Sequence, residues 1–293
     1  MDTLTTDGAI KYYQSLLKRN NHSAFGNYGM ASACFVKNNY EDAITYSRRN
    51  VRDSNEYQAE CLIILASSLD RTNRPSDALR VFENAIKSYP TNYQLLYQYA
   101  LCSYKNRKFW QAINLVKKVI NLKPLFVPAH YLYGCCMFEN NNDRNCAAAF
   151  LFGLLLDNDS LRAQQAIIFN KQYLLYKIEN IEIPYFEKRK KILTIDHVLY
   201  FYFPEIVRTE ILKSLDDENT YNDISNYLTS NQKSFPAEYN IFYKNLSDSG
   251  LNVLFSHYCS RMSLDATNKI WLKAHSKDLE QFAKFLDKYL PGK

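Results

Sequence analysis

Between Tyr93 and Pro124 apolar residues recur every three or four positions, with one break near Arg107. That spacing predicts two amphipathic helices, one ending near Arg107 and one running from Phe109 to about Leu122. Slid along the chain, the stretch overlays itself, with Ala66 on Ala100, Ala78 on Ala112 and Pro90 on Pro124. A fixed period of about 34 residues marks stacked helical hairpins, none of which can bury its apolar face alone.

The period extends in both directions. Ala9 stands one period before Ala43, so residues 5–19 read as the second helix of an incomplete N-terminal unit. Ala24–Lys37 with Tyr40–Arg52 form the first full pair, and Glu60–Asp70 with Pro75–Tyr89 the second. Val127–Glu139 with Arg144–Leu156 form the fourth. Asn39 is the expected N-cap of its helix, with Glu41 and Asp42 in the first turn where carboxylates suit the dipole. Pro75 costs nothing at a helix start, and Pro90 stops the same helix. The Asn-rich turn at 140–143 is Asx-turn chemistry. The expected units are about 24–57, 59–92, 93–126 and 127–160, with one residue inserted around 53–57.

After Ser160 the period fades. Residues 161–178 read as a long amphipathic helix capping the stack. Ile183, Pro184 and the charged run 187–191 mark the expected boundary between a solenoid (1–180) and a second helical region (185–293). Helices are expected there near 196–215, 219–229, 236–246, 250–262, 265–274 and 277–289. Ser234 with Pro236 and Glu238, and Ser276 with Asp278 and Glu280, are helix-start signals. Leu279, Phe282, Phe285, Leu286 and Leu290 form one stripe of the last helix.

Over roughly residues 5–160 the pattern resembles the tetratricopeptide repeat. Leu62, Ala66, Leu69, Ala78, Phe82, Ala85 and Pro90 fall on that family's framework positions in the second unit. In the third unit Leu96, Tyr99, Ala100, Ser103, Ala112, Val116, Val119 and Pro124 do. The fourth unit departs at Cys146, Gly153 and Asn158, and the first at Ser47 and Asn50. The resemblance implies an all-α, right-handed solenoid with a C-terminal helical region, acting as a non-enzymatic adaptor that binds a protein or peptide partner. The first helix of each unit would turn three slots toward a concave groove. One slot holds Tyr28, Ile63, Tyr97 and Tyr131; another holds Phe35, Asp70, Tyr104 and Phe138; the third holds Ser32, Ser67, Leu101 and Cys135. An aromatic lining with few charges suits a helix or extended apolar peptide, self-association, or the chain's own C-terminal helices folding back. Family members that grip C-terminal carboxylates carry Lys, Asn and Arg at slots occupied here by Tyr28, Ser32, Ile64, Gln94 and Gln98, so that clamp is absent.

Composition narrows the field. A chain of 293 residues allows about two domains. Hydrophobic residues make up 47%, with only seven glycines and eight prolines, which favours helices around a sizeable core. The net charge of +6 lies wholly in residues 1–180, where 21 basic residues face 15 acidic ones, against 15 and 15 in 181–293. Arg80, Lys87, Lys117 and Lys118 fall on second helices, and Lys105, Arg107 and Lys108 near a turn, so an RNA-binding basic edge is the secondary expectation. Asp2, Asp7, Lys11, Lys18 and Arg19 interrupt the start of the chain, and no apolar run reaches the ~20 residues of a membrane span. With seven unpatterned cysteines, a reducing cytoplasmic setting is expected.

Catalytic and metal signatures are weak. Gly26 and Gly29 fall within a helix rather than a phosphate loop. His257 and Cys259 lie on different helix faces and form no nucleophile–base pair. His130, Cys135, Cys136 and Cys146 lack paired ligand spacing, so no metal and no cofactor are expected.

Overall fold

The computed structural model describes residues 6–52, 54–140, 143–157, 237–259 and 266–290, and among these every regular element is a helix. They fall into two compact units, 1–122 and 123–293. The first contains α1 (Thr6–Arg19), α2 (Ala24–Val36), α3 (Tyr40–Asn50), α4 (Gln58–Arg71), α5 (Pro75–Ser88), α6 (Tyr93–Lys105) and α7 (Phe109–Leu122). The second contains α8 (Val127–Glu139), α9 (Asp143–Leu156), α10 (Ala237–Asp248), α11 (Asn252–Cys259), α12 (Ala266–Ala274) and α13 (Ser276–Tyr289). The expected helices at 161–178, 196–215 and 219–229, and the expected boundary at 183–191, lie outside the described residues.

In the first unit consecutive helices pack on one another, and α2, α4 and α6 also touch in series. That is a solenoid whose first helices form an inner layer and whose second helices form an outer one. Ala31, Ala66 and Ala100 on the inner layer, and Ala43, Ala78 and Ala112 on the outer, are fully buried. A methyl group at each crossing lets two helices approach closely, while Leu69, Phe82 and Tyr99 fill the space beside them.

The turn inside each pair repeats as faithfully as the core. Asn38, Asn73 and Arg107 adopt left-handed backbone (φ 59°, 58° and 57°). The next amide reaches back to the preceding helix, Asn39 N to Cys34 O (2.8 Å), Arg74 N to Leu69 O (2.9 Å) and Lys108 N to Ser103 O (2.8 Å). This closure satisfies carbonyls that a helix end leaves open. The first helix of the 93–124 stretch therefore ends at Lys105, two residues before the sequence break at Arg107. Asn39 caps α3 as expected, and Ser23 and Asn92 cap α2 and α6.

Departures from the repeat pattern have local causes. Asn50 is buried, and its side-chain amide donates to Ala24 O (3.1 Å) and Cys61 Sγ (3.0 Å), tying α3 to its neighbours on both sides. Gly29 faces α1, where an added Cβ would run into the Tyr13 ring. Gly153 replaces the usual alanine because the Tyr131 ring occupies the crossing, 2.5 Å from where a Cβ would lie.

The second unit is built around aromatic rings. Tyr239, Phe242 and Tyr243 of α10 meet α9: the Tyr239 and Phe242 rings each lie 5.1 Å from Phe152, and the Tyr243 hydroxyl donates to Ala148 O (2.6 Å). Phe255 of α11, with Phe282 and Phe285 of α13, extends the cluster. His130 sits inside it. Its Nε2 lies 2.7 Å from Pro124 O, which can only accept, so Nε2 carries the proton and Nδ1 accepts from the Tyr239 hydroxyl (2.9 Å). Burial pushes its pKa down to about 4 from the ordinary 6.5.

Two outcomes are expected. Gly29→Ala should destabilise the chain by about 1–3 kcal/mol by overpacking, with the loss largely recovered when Tyr13 is changed to Ala in the same chain, as read by urea unfolding. The His130 pKa is depressed on folding, so below 6.5 the unfolded chain binds a proton before the folded one does. Stability from the neutral imidazole is complete above pH 6.5 and declines as pH falls toward 4, by about 3 kcal/mol. Comparing urea midpoints across that window, His130→Gln should lack this part of the decline; parallel curves would refute it.

Candidate functional site

The inner layer of the first unit carries Tyr28, Ser32, Phe35, Ile63, Ser67, Asp70 and Leu101 as half-buried side chains. Of these, Phe35, Ser67, Asp70 and Leu101 converge on one small pocket of about 50 Å³ at the C-terminal ends of α2, α4 and α6. Arg71, Gln98, Cys102 and Lys105 complete its wall, and Phe82 reaches it from the outer layer. Phe35 and Leu101 supply apolar surface; Ser67 and Gln98 supply hydrogen-bonding groups. Arg71 and Lys105 occupy one slot of successive units, as Ala66 and Ala100 do, and the period alone could have found them.

Asp70 organises the pocket's polar side. Its Oδ1 accepts from Asn106 Nδ2 (3.2 Å) and from Cys102 Sγ (3.6 Å), and its Oδ2 lies 3.8 Å from Lys105 Nζ. The carboxylate thus links the end of α4 to the end of α6. Lys105, which the sequence places at the solvated turn, is the last residue of α6 and turns inward to this acid. Burial, followed by the Asp70 charge, raises the Cys102 thiol to about 12. The thiol is therefore protonated at neutral pH and a poor nucleophile.

The other end of the same face is aromatic. Tyr28 stacks on Tyr57 (4.9 Å between centroids, 11° between planes). Phe25 tilts against Tyr57 at 5.9 Å and meets Tyr13 edge-on at 5.5 Å. Burial, then the nearby Glu60 charge, raises the Tyr28 hydroxyl pKa.

Other expected lining residues are turned into the packing. Tyr97 and Tyr104 are 6% and 3% exposed, and the Tyr104 ring packs edge-on against Phe109 of α7 (5.6 Å). In the second unit Tyr131 and Cys135 are 3% and 4% exposed. The Tyr131 ring lies between α8 and α9, 5.8 Å from Phe150, and its hydroxyl donates to Asp157 Oδ2 (2.9 Å). Phe138 is half-buried. The continuous tyrosine strip expected from the period is thus interrupted at Tyr97, Tyr104 and Tyr131, which are buried.

Arg80 pairs with Asp77 (2.8 Å) and Arg74 with Glu41 (2.6 Å), while Arg107 lies over the Phe109 ring at 5.5 Å. Among the described residues no group of three His, Cys, Asp or Glu side chains converges as a metal site would, and no helix is long and apolar enough to cross a membrane.

Comparison with known proteins agrees with the repeat architecture. Residues 65–142 match the family model of the tetratricopeptide repeat, so this stretch carries tetratricopeptide repeats, within helices that form an all-α solenoid in the first unit. Such repeats are protein-interaction modules, which gives the broad class: a protein–protein interaction scaffold. No curated protein matches. Among solved structures, MamA is 22% identical over 51% of this chain and 86% of its own, with a TM-score of 0.46. YrrB, described as a TPR protein with an unusual peptide-binding site, is 18% identical over 53% of this chain and 79% of its own (TM-score 0.43). A monomeric IFIT1 mutant with m7Gppp-AAAA is 13% identical over 89% of this chain and 59% of its own (TM-score 0.51), a likeness of fold.

The buried Cys61 thiol is likewise raised, to about 11, by burial. Neither Cys61 nor Cys102 should react with a disulfide reagent such as DTNB in the native chain at pH 8, and both should react in 6 M urea. Rapid native labelling of Cys102, read by peptide mapping, would contradict the burial of its thiol.

Proposed function

We propose that the chain is a non-enzymatic adaptor whose inner face on α2, α4 and α6 holds a peptide or helix of a partner protein. The pocket bounded by Phe35, Ser67 and Leu101 supports this reading most directly. It offers apolar surface for one anchoring side chain, with Ser67 and Gln98 beside it to bond main-chain groups. Tyr28, Ser32 and Ile63 continue the same face toward the N-terminal end and would contact the remainder of the segment. Binding of this kind draws on buried apolar area at a few anchors, with polar groups fixing the register. With Arg80 and Lys105 each facing a carboxylate, the basic edge supports an RNA-binding reading less well.

Selection of a displayed peptide library on the full chain tests the proposal. Enriched peptides should lose at least about tenfold in affinity, about 1.4 kcal/mol, on Leu101→Glu. Trp110→Ser, on the exposed start of α7, should change nothing. Retained affinity in a folded Leu101→Glu chain, checked by circular dichroism, would overturn the reading.

A further inference from the structure

The repeat places Phe25, Glu60 and Gln94 at one slot of successive units, on the inner face beside Tyr28. Of these three, Glu60 is out of keeping with its setting. Its Oε2 is buried and has no hydrogen-bond donor, and among the described residues no Lys, Arg or His pairs with it. Glu60 as a whole is half-buried at the edge of this face, and a donor from a bound partner would supply the bond that Oε2 lacks. The charge is close enough to Tyr28 to raise that hydroxyl's pKa, after burial.

The surrounding rings suit the same ligand. Tyr57 covers one face of Tyr28, whereas Phe25 remains 40% exposed and tilted, leaving aromatic surface beside the carboxylate. Glu56, beside the Tyr57 hydroxyl, adds a second negative charge. An aromatic face attracts a cation through its quadrupole, and the attraction strengthens where water is excluded. A neutral donor would leave the carboxylate charge uncompensated; a positively charged one satisfies both its hydrogen bonding and its charge.

We infer that this end of the face, formed by Phe25, Tyr28 and Glu60, seats a lysine or arginine side chain of the bound protein segment. The inference rests on the reading of the inner face as a protein-binding surface, and it adds the partner's charge. An apolar anchor at the Leu101 pocket and a basic side chain at Glu60 together define the kind of segment that fits.

The test uses the full chain with isotope-labelled tyrosine and phenylalanine rings. N-acetyl-arginine methylamide and N-acetyl-lysine methylamide are titrated in, with the neutral N-acetyl-norleucine methylamide as control. The cationic probes should shift the Phe25, Tyr28 and Tyr57 ring resonances with millimolar affinity that falls as salt rises, and the neutral probe should not. Glu60→Gln, which keeps the side-chain shape, should weaken binding at least about tenfold. Phe25→Leu serves as a second variant, expected to weaken it several-fold. Equal shifts from the neutral probe, or binding unchanged in both variants, would overturn the inference. Trp110→Ser, on the exposed start of α7, should leave the probes' binding intact. Probes that fail while selected peptides still depend on Leu101 would therefore sink the cation subsite alone; probes that bind while those peptides ignore Leu101 would sink the pocket alone.

Discussion

The close crossing of two helices within each repeat constrains everything else in the first unit. At Ala66 with Ala78, and again at Ala100 with Ala112, the side chain must be no larger than a methyl group, or the backbones separate and the neighbouring large residues lose their contacts. A helical hairpin closed in this way still exposes an apolar flank, so it needs the next hairpin, and the chain repeats the solution at every period. The left-handed residue at Asn38, Asn73 and Arg107 belongs to the same constraint. It sets the angle at which the second helix leaves the first, and the chain accepts even an arginine there, where glycine or asparagine is easier.

Closing the pairs also decides which aromatic rings remain available. A tyrosine on a first helix can turn to the inner face or fill the crossing, and where the partner helix offers too little bulk the ring goes inward. Gly153 shows the exchange directly: the glycine removes a side chain, Tyr131 fills the space, and its hydroxyl finds Asp157 rather than solvent. The Tyr104 ring packs edge-on against Phe109. What remains on the inner face of the first unit is therefore smaller and more polar than an aromatic groove. It has an apolar pocket held by the Asp70 network at one end and a Tyr28–Tyr57 stack beside Glu60 at the other.

The second unit solves a different problem. The helix pair α8/α9 meets α10 and α11 within one aromatic cluster, and α8 accordingly reads as apolar on nearly every side. His130 tolerates this because both ring nitrogens have partners, one of them the carbonyl of Pro124, a residue that also ends a repeat. A buried histidine with both nitrogens bonded is a packing element, whatever its neighbours Cys135 and Cys136 suggest on paper.

By itself the sequence determined the helices of the first unit, their pairing and their period, and with them the resemblance to the tetratricopeptide repeat. Those properties depend on local spacing and on small residues at fixed intervals, so they can be read along one chain. The same reading located Phe35, Ser67, Asp70 and Leu101 on one face, because a shared slot implies a shared side of the stack. The tertiary structure alone decided which rings on that face stayed open and which charges turned inward. Tyr97, Tyr104 and Tyr131 share slots with Ile63, Asp70 and Phe138, which are only half-buried, and Lys105 looked like one more solvated cation. Rotamer and burial follow from the volume available across the crossing and from a nearby acid, neither of which is encoded in the spacing of a single helix.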